Sequence, residues 1–227
     1  MELERVADGI DRWVMPEASM NAYVVADGGE ALIVDPGTLP SRATRLREAV
    51  EARGDTVIGV VITHAHWDHF LALSAFDDVP VFAHPAAIDH IMDHPTDHLA
   101  AGLAGLDDTD AESLAGARIA VPDVPVAQLH RLLVGGIPVI LDPQETAHTV
   151  GDLLVHVGDA VTITGDLVET DADPQWDDDS DLEGWGRALD VIGEHGAATL
   201  LPGHGRPTDQ SRLEHHRSLF AASRADA

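Results

Sequence analysis

The sequence of 227 residues predicts an α+β protein in which two similar β layers face each other across one site, with helices outside. Two observations carry that expectation. Within residues 31–62 a strand, a helix and a second strand follow one another, and this βαβ order implies a partly parallel sheet. A coarse echo then repeats hairpin, helix and ligand-bearing strand end in residues 20–69 and again in 150–204. The length suffices to bury roughly 70% of the surface that the unfolded chain exposes, and a single domain over 1–227 is expected. Cys is absent, which excludes a disulfide framework, a thiolate ligand and a cysteine nucleophile.

Residues 2–35 read as strands, with runs at Arg12–Met15, Ala22–Ala26 and Ala31–Val34 and a hairpin turn at Asp27-Gly28-Gly29. Asp35-Pro36-Gly37 then leaves a carboxylate at a strand's C-terminal end. Ser41–Arg53 carries Leu46, Ala49 and Val50 at helical spacing, with Ser41 as N-cap and Gly54 as stop. A strand at 57–62, a short helix at Phe70–Phe76 and a strand at Val79–Ala83 follow. Residues 84–104 read as helical, and 105–128, rich in Gly, Asp and Pro, as irregular. Strands are expected at 131–134, 137–141, 153–157 and 160–165, the last two joined by Gly158-Asp159. An acidic loop at 171–181, a helix at Leu182–His195, a strand at Ala198–Leu201 and a helix at Asp209–Ser223 come last.

The chemistry concentrates in Thr63–His69, THAHWDH, which follows the apolar run Val57–Ile62. His64, His66, Asp68 and His69 fall together at the end of a buried strand. Imidazole nitrogens and carboxylate oxygens bind Zn²⁺ and other borderline divalent ions, and a loop after a strand can turn several of them onto one point. A polar loop with chance histidines is the competing reading, and the density of ligand types disfavours it. Later strand ends add His148 in Ala147-His148-Thr149, Asp166 after Gly165, and His204 between Gly203 and Gly205.

Taken with Asp35, these stretches resemble the motifs of the metallo-β-lactamase superfamily: an Asp-bearing strand end, H-x-H-x-D-H, a later His, a G-D and a final G-H. The resemblance runs in order from Asp35 to His204. It implies a four-layer αββα sandwich with two divalent metal ions along one edge of the paired sheets, zinc first, with iron or manganese as alternatives. By resemblance His64, His66 and His148 hold one ion and Asp68, His69 and His204 the other. Asp166 would bridge both, and Asp35 would orient a ligand imidazole from behind. The implied reaction is hydrolysis of a small ester, thioester or lactone by a metal-bridging hydroxide, with Asp68 and Asp166 as catalytic residues. Asp68 is a candidate for returning the proton to the leaving group. The glyoxalase II-like branch fits better than the secreted β-lactamases, which carry a signal peptide and in several classes a Cys ligand. Phe70-Leu71-Ala72 and Ala147 stand where many members have Gly, so the pocket shape is expected to differ. His84 and Arg206 are candidate substrate-pocket residues.

Charge narrows the partners. Thirteen basic residues, all Arg, stand against 40 acidic ones, a net charge of −27. Such a surface repels polyanions, which excludes nucleic acid and anionic membranes and leaves a small-molecule substrate. A salt-adapted surface accounts for the acid excess better than a GC-rich genome does. The start, MELERVADGIDRWVM, lacks a basic end followed by a long apolar run, and no stretch approaches the ~20 apolar residues of a membrane span. A cytoplasmic location is expected.

Asp89-His90, Asp93-His94 and Asp97-His98 recur every four residues and would stack imidazoles on one helix face but for Pro95. A solvated helix edge is the plainer reading of this rhythm, and a further metal site the other. Trp67, Trp176 and Trp185 are candidates to border the cleft, with packing the plainer reading. The rival function is an iron-dependent oxidoreductase of the persulfide dioxygenase type, against which the complete second ligand set argues. A metal-binding protein without turnover is the third reading, disfavoured by intact Asp68 and Asp166.

Overall fold

Hairpin turns and helical crossovers sort the strands into two sheets. The computed structural model describes residues 2–225; Met1 and residues 226–227, which the expected domain includes, lie outside the described residues. Strands β1 (Glu4–Ala7), β2 (Ile10–Val14), β3 (Asn21–Asp27) and β4 (Glu30–Val34) form an antiparallel meander. Helix α1 (Pro40–Glu51) then crosses back, so β5 (Thr56–Val61) pairs parallel with β4, Val34 opposite Val61. Helix α2 (Trp67–Phe70) and a 3₁₀ turn through Phe76 lead to β6 (Val81–Ala83), parallel to β5. Helices α3 (Pro85–Asp93), α4 (Pro95–Ala104) and α5 (Asp108–Ala115) precede the short β7 (Val124–Pro125), which ends this sheet.

The second sheet repeats the plan. Strands β8 (His130–Val134), β9 (Ile137–Gln144), β10 (Asp152–Val157) and β11 (Val161–Gly165) pair antiparallel in sequence order. After helix α6 (Leu182–His195), β12 (Thr199–Pro202) lies parallel to β11, and helix α7 (Ser211–Ala225) follows.

Alternate strand positions fill three apolar layers. Val25, Leu32, Val34 and Val61 meet Val139, Leu153, Val155 and Ile163 between the sheets. On the outer face of the first sheet, Val24, Ile33 and Val60 pack with Leu46, Val50, Phe76 and Ile91. On the outer face of the second, Leu154 and Leu200 lie with Trp185, Leu189, Ile192 and Phe220. The order is helix, sheet, sheet, helix, the four-layer αββα sandwich that the motifs imply. No helix among the described residues is long and apolar enough to cross a membrane.

Local departures from the sequence reading have physical causes. Helix α1 begins at Pro40, with Leu39 as N-cap and no side-chain cap, instead of at Ser41, because a proline's fixed φ suits the first helical position. The segment expected to be irregular contains α5, capped by Asp107, whose side chain accepts from Asp110 N–H; with Leu114 its one buried residue, it shows almost no helical periodicity. Pro95 does break the helix of residues 84–104, at His94, but α3 and α4 remain packed on each other.

Trp185 couples this packing to the site, since its ring is fully buried with its centroid 4.9 Å from that of His148, and its indole N–H donates to Leu167 O at 2.9 Å. Trp185→Ala is expected to cost about 3–5 kcal/mol in urea unfolding, and Trp185→Phe clearly less.

Candidate metal centre

Parallel pairing decides which side chains meet. Because β4 and β5 run the same way, Asp35 and Thr63 emerge side by side at their C-terminal ends. Because β11 and β12 do the same, Asp166 emerges beside Gly203 and His204. The sheets are tied together there: Leu153 N–H donates to Thr63 O at 2.7 Å, and Asn21 N–H to Gly203 O at 2.7 Å. His148 lies in the loop between β9 and β10, where Ser180 Oγ donates to its carbonyl at 2.7 Å and Thr149 N–H to Asp152 Oδ2 at 3.1 Å.

Asp35 organises the first turn from a left-handed backbone conformation, φ 54°, uncommon for a residue with a side chain. Its carboxylate accepts from Thr63 N–H at 2.8 Å, Thr63 Oγ1 at 2.7 Å and His69 Nδ1 at 2.9 Å. Since the Thr63 hydroxyl hydrogen goes to Asp35, His64 Nδ1, 3.0 Å away, donates to that hydroxyl oxygen. His204 Nδ1 donates to Ala18 O at 3.1 Å. Each bond holds Nδ1 as a donor and turns the Nε2 of His64, His69 and His204 inward. His66 approaches through its other nitrogen, Nδ1 standing 3.1 Å from His148 Nε2.

All seven residues expected as ligands come together. His64, His66, His148 and Asp166 present ligand atoms within 4.8 Å of one another, and Asp68, His69 and His204 form a second such group. Asp166 Oδ2 stands 3.6 Å from His64 Nε2 and His148 Nε2, and 3.4 Å from His69 Nε2 and His204 Nε2. The arrangement fits divalent ions: His64 Nε2, His69 Nε2 and Asp166 Oδ1 are buried without a hydrogen-bond partner, and the donors are nitrogen and oxygen. A Cβ at Gly203 would stand 2.0 Å from Asp166 Oδ1, so only glycine lets the chain pass so close to the cluster.

The two groups differ in charge. Burial holds His64 well below the usual imidazole range, and burial together with His66 takes His148 down to about 3, so both are neutral bases. Burial also opposes charge on His69 and His204, but the Asp166 and Asp68 carboxylates outweigh it, raising His69 well above its usual value and His204 to about 11. Burial likewise disfavours the Asp166 and Asp68 carboxylates, and the neighbouring imidazoles outweigh it and hold both low.

Two cavities open on the cluster. One of about 280 Å³ is lined by His66, Asp68, His148, Asp166, His204 and Glu169 among others. A larger one of about 760 Å³ shares His66 and Asp68 and runs past Trp67, Trp176, His90, His98 and Asp179. Neither His84 nor Arg206 lines either cavity. His84 caps α3, accepting from Ala86 N–H at 3.1 Å, and packs on Gly151, where a Cβ would stand 2.1 Å from its Nδ1. Arg206 turns outward to Asp171 at 2.6 Å and is exposed. Trp67, packed against the first outer core, and Trp176, its ring centroid 6.2 Å from that of Phe220, also line this cavity, and Trp185 packs as expected. Glu169 escaped the sequence reading: it is buried, and burial with the nearby Asp166 charge pushes its carboxyl up to about 8. Its signal is tertiary, because His216 and Arg212 of α7 hold its backbone N–H and C=O.

A sequence profile described as the metallo-β-lactamase superfamily matches residues 16–204. An uncharacterized protein of Aquifex aeolicus is 35% identical over 119 residues, 49% of this chain and 54% of that one. A hydroxyacylglutathione hydrolase of Saccharophagus degradans is 30% identical over 93 residues, 37% of this chain and 29% of that one. The chain thus spans about half the length of the first relative and under a third of the second. Among solved structures, a metallo-β-lactamase from Pontibacter korlensis superposes with a TM-score of 0.77 at 19% identity, covering 97% of this chain and 98% of that one.

Two outcomes are expected at this centre. Asp35→Asn keeps the shape but removes the carboxylate that fixes His69, and should weaken metal affinity about 10–100-fold in competition with a chromophoric chelator. In the metal-free protein His69 and His204 carry protons at neutral pH, because their pKa values are raised, so a cation at the second group must displace them. Its affinity should therefore rise with pH, by about tenfold or more per unit, while His64 and His148 release no proton. Titration calorimetry in buffers of different ionisation enthalpy separates the two phases.

Proposed function

The chain belongs to the metallo-β-lactamase superfamily, whose members are mostly hydrolases, and from that premise we propose that it hydrolyses a small ester, thioester or lactone using two divalent cations, zinc first. His64, His66 and His148 would hold one cation and Asp68, His69 and His204 the other, with Asp166 within reach of both. The position of Asp166 Oδ2, within 3.4–3.6 Å of four imidazoles from both groups, carries this reading. When bound, two such cations supply Lewis acidity for a carbonyl oxygen and bring the pKa of a water from ~15.7 toward about 7.

The residues do the rest. Asp35 and Thr63 hold the imidazole lone pairs inward, so little reorganisation remains when substrate arrives. Asp68, 3.1 Å from His204 Nε2 and on the wall of both cavities, takes up on its carboxylate the proton that the attacking water loses and hands it to the leaving group. Trp67 and Trp176 give the larger cavity apolar wall. Asp97, Asp177, Asp178 and Asp179 line the same cavity and no Arg does, which favours neutral or cationic substrates over anionic ones such as a glutathione conjugate.

Elemental analysis of protein purified without added metal, with a visible spectrum of the same sample, tests the centre. About two zinc ions per chain with no visible absorbance, and turnover in a panel of esters, thioesters and lactones, is the expected result. Asp68→Ala should lower kcat by about 10²–10⁴. Unchanged turnover in that variant sinks the assigned mechanism, and about one iron per chain replaces it with the oxidoreductase.

A further inference from the structure

His90 near the end of α3, His94 at the Pro95 break and His98 in α4 form a second concentration of imidazoles, on the wall of the larger cavity. His90 Nδ1 and His98 Nε2 are 3.1 Å apart, the same separation as His66 Nδ1 and His148 Nε2 in the main centre. With metal–nitrogen bonds of ~2.0–2.1 Å, two nitrogens at that spacing subtend an angle of about 100° at a shared ion, between the octahedral and tetrahedral values. We propose that His90, His94 and His98 form a further binding site for a borderline divalent transition ion, zinc, nickel or cobalt, separate from the main metal centre.

Geometry sets two of the ligands in advance. His98 is buried, and Phe70 meets its ring edge-on with centroids 4.9 Å apart, which holds the imidazole in place. His90 lies across the cavity wall, its ring centroid 5.0 Å from that of His98. His94 provides the third nitrogen from a ring 4.7 Å from His90, tilted by 40°. Its side chain is 50% exposed and makes a 3.4 Å contact with the exposed Asp97, and a change to another staggered rotamer would bring it to the ion.

Chemistry and field agree with a cation here. Burial lowers His90 and takes His98 down to about 4, so both rings are neutral at pH 7 with lone pairs to offer. Between two neutral rings at 3.1 Å there is one shared N–H; an ion replaces it when that proton moves to the other nitrogen of its own ring, and no net charge is lost. Asp97 and Asp177–Asp179 line the same cavity and raise the local concentration of cations. The ligand set lacks thiolate, which selects zinc, nickel or cobalt over softer ions.

Zinc stoichiometry of the metal-loaded protein, by elemental analysis after desalting and by calorimetric titration with Zn²⁺, tests the site through a difference between proteins. Wild type is expected to bind one more zinc per chain than His90→Gln/His94→Gln, whatever the occupancy of the main centre. His98→Gln is expected to lose the same equivalent or bind it at least tenfold more weakly. Low occupancy of the main centre lowers all three proteins equally and leaves the difference intact, which keeps failure of the hydrolase reading distinct. Equal stoichiometry and affinity in wild type and the double variant overturns the site. So does wild-type binding by His98→Gln, which places any ion on an exposed helix-end pair only.

Discussion

Parallel pairing of β4 with β5 and of β11 with β12 sends the C-terminal ends of each pair to one edge of its sheet, and the sheets stack so that the two edges coincide. Each pair needs a helical crossover, supplied by α1 and α6, and each is preceded by an antiparallel hairpin. The chain is therefore two similar half-structures meeting at their reactive ends. Hydrogen bonds across the seam hold them in place: Tyr23 Oη donates to Pro202 O at 2.7 Å, Asn21 Nδ2 to the same carbonyl at 2.9 Å, and Leu153 N–H to Thr63 O. These bonds, two from side chains and one from backbone, join the halves at Thr63 and beside Gly203. A shift of one half would carry His148, Asp166 and His204 away from His64, His66 and His69 together.

Within that frame, the charges of the cluster are mutually satisfied before any cation enters. Asp68 and Asp166 face His69 and His204 and hold protons on them, whereas His64 and His148 stay neutral. A buried carboxylate pair without partners would be costly, and His69 and His204, whose Nε2 atoms stand 3.4 Å from Asp166 Oδ2, are partners to it. Asp35 makes this arrangement geometrically stiff. It spends an unfavourable backbone conformation on three hydrogen bonds that align two ligand side chains at once.

The convergence of the His/Asp cluster was legible because its residue types are dense and sit where apolar runs stop, and strand ends were the most readable features of the chain. Helix α6 was legible to the residue, since it starts at an Asp cap and ends at Gly196 in a left-handed conformation. Proximity in sequence failed for Arg206: it follows His204 by two residues, yet its guanidinium turns to Asp171 on the surface. It failed in the opposite sense for Glu169, whose burial is imposed by α7, more than forty residues later. The His90–His98 rhythm shows a third kind of limit. Pro95 does break the helix, and the break is what lets α4 pack on α3 so that His90 and His98, about 12 Å apart along a continuous helix, meet at 3.1 Å.

Two ranges of electrostatics bear on which molecules reach the centre. The net charge of −27 acts over the whole surface, drawing cations and repelling anions, and salt screens it beyond ~8 Å at physiological ionic strength. The carboxylates of Asp97 and Asp177–Asp179 act on the wall of the larger cavity itself. A salt-rich medium would weaken the first effect and leave much of the second, because groups on one cavity wall remain close to whatever occupies it. On the proposed reading, the carboxylates of the cavity add to the acidic surface in disfavouring anionic substrates. Divalent cations meet the opposite sign at both ranges, so the features that turn anions away also favour loading of the His/Asp cluster.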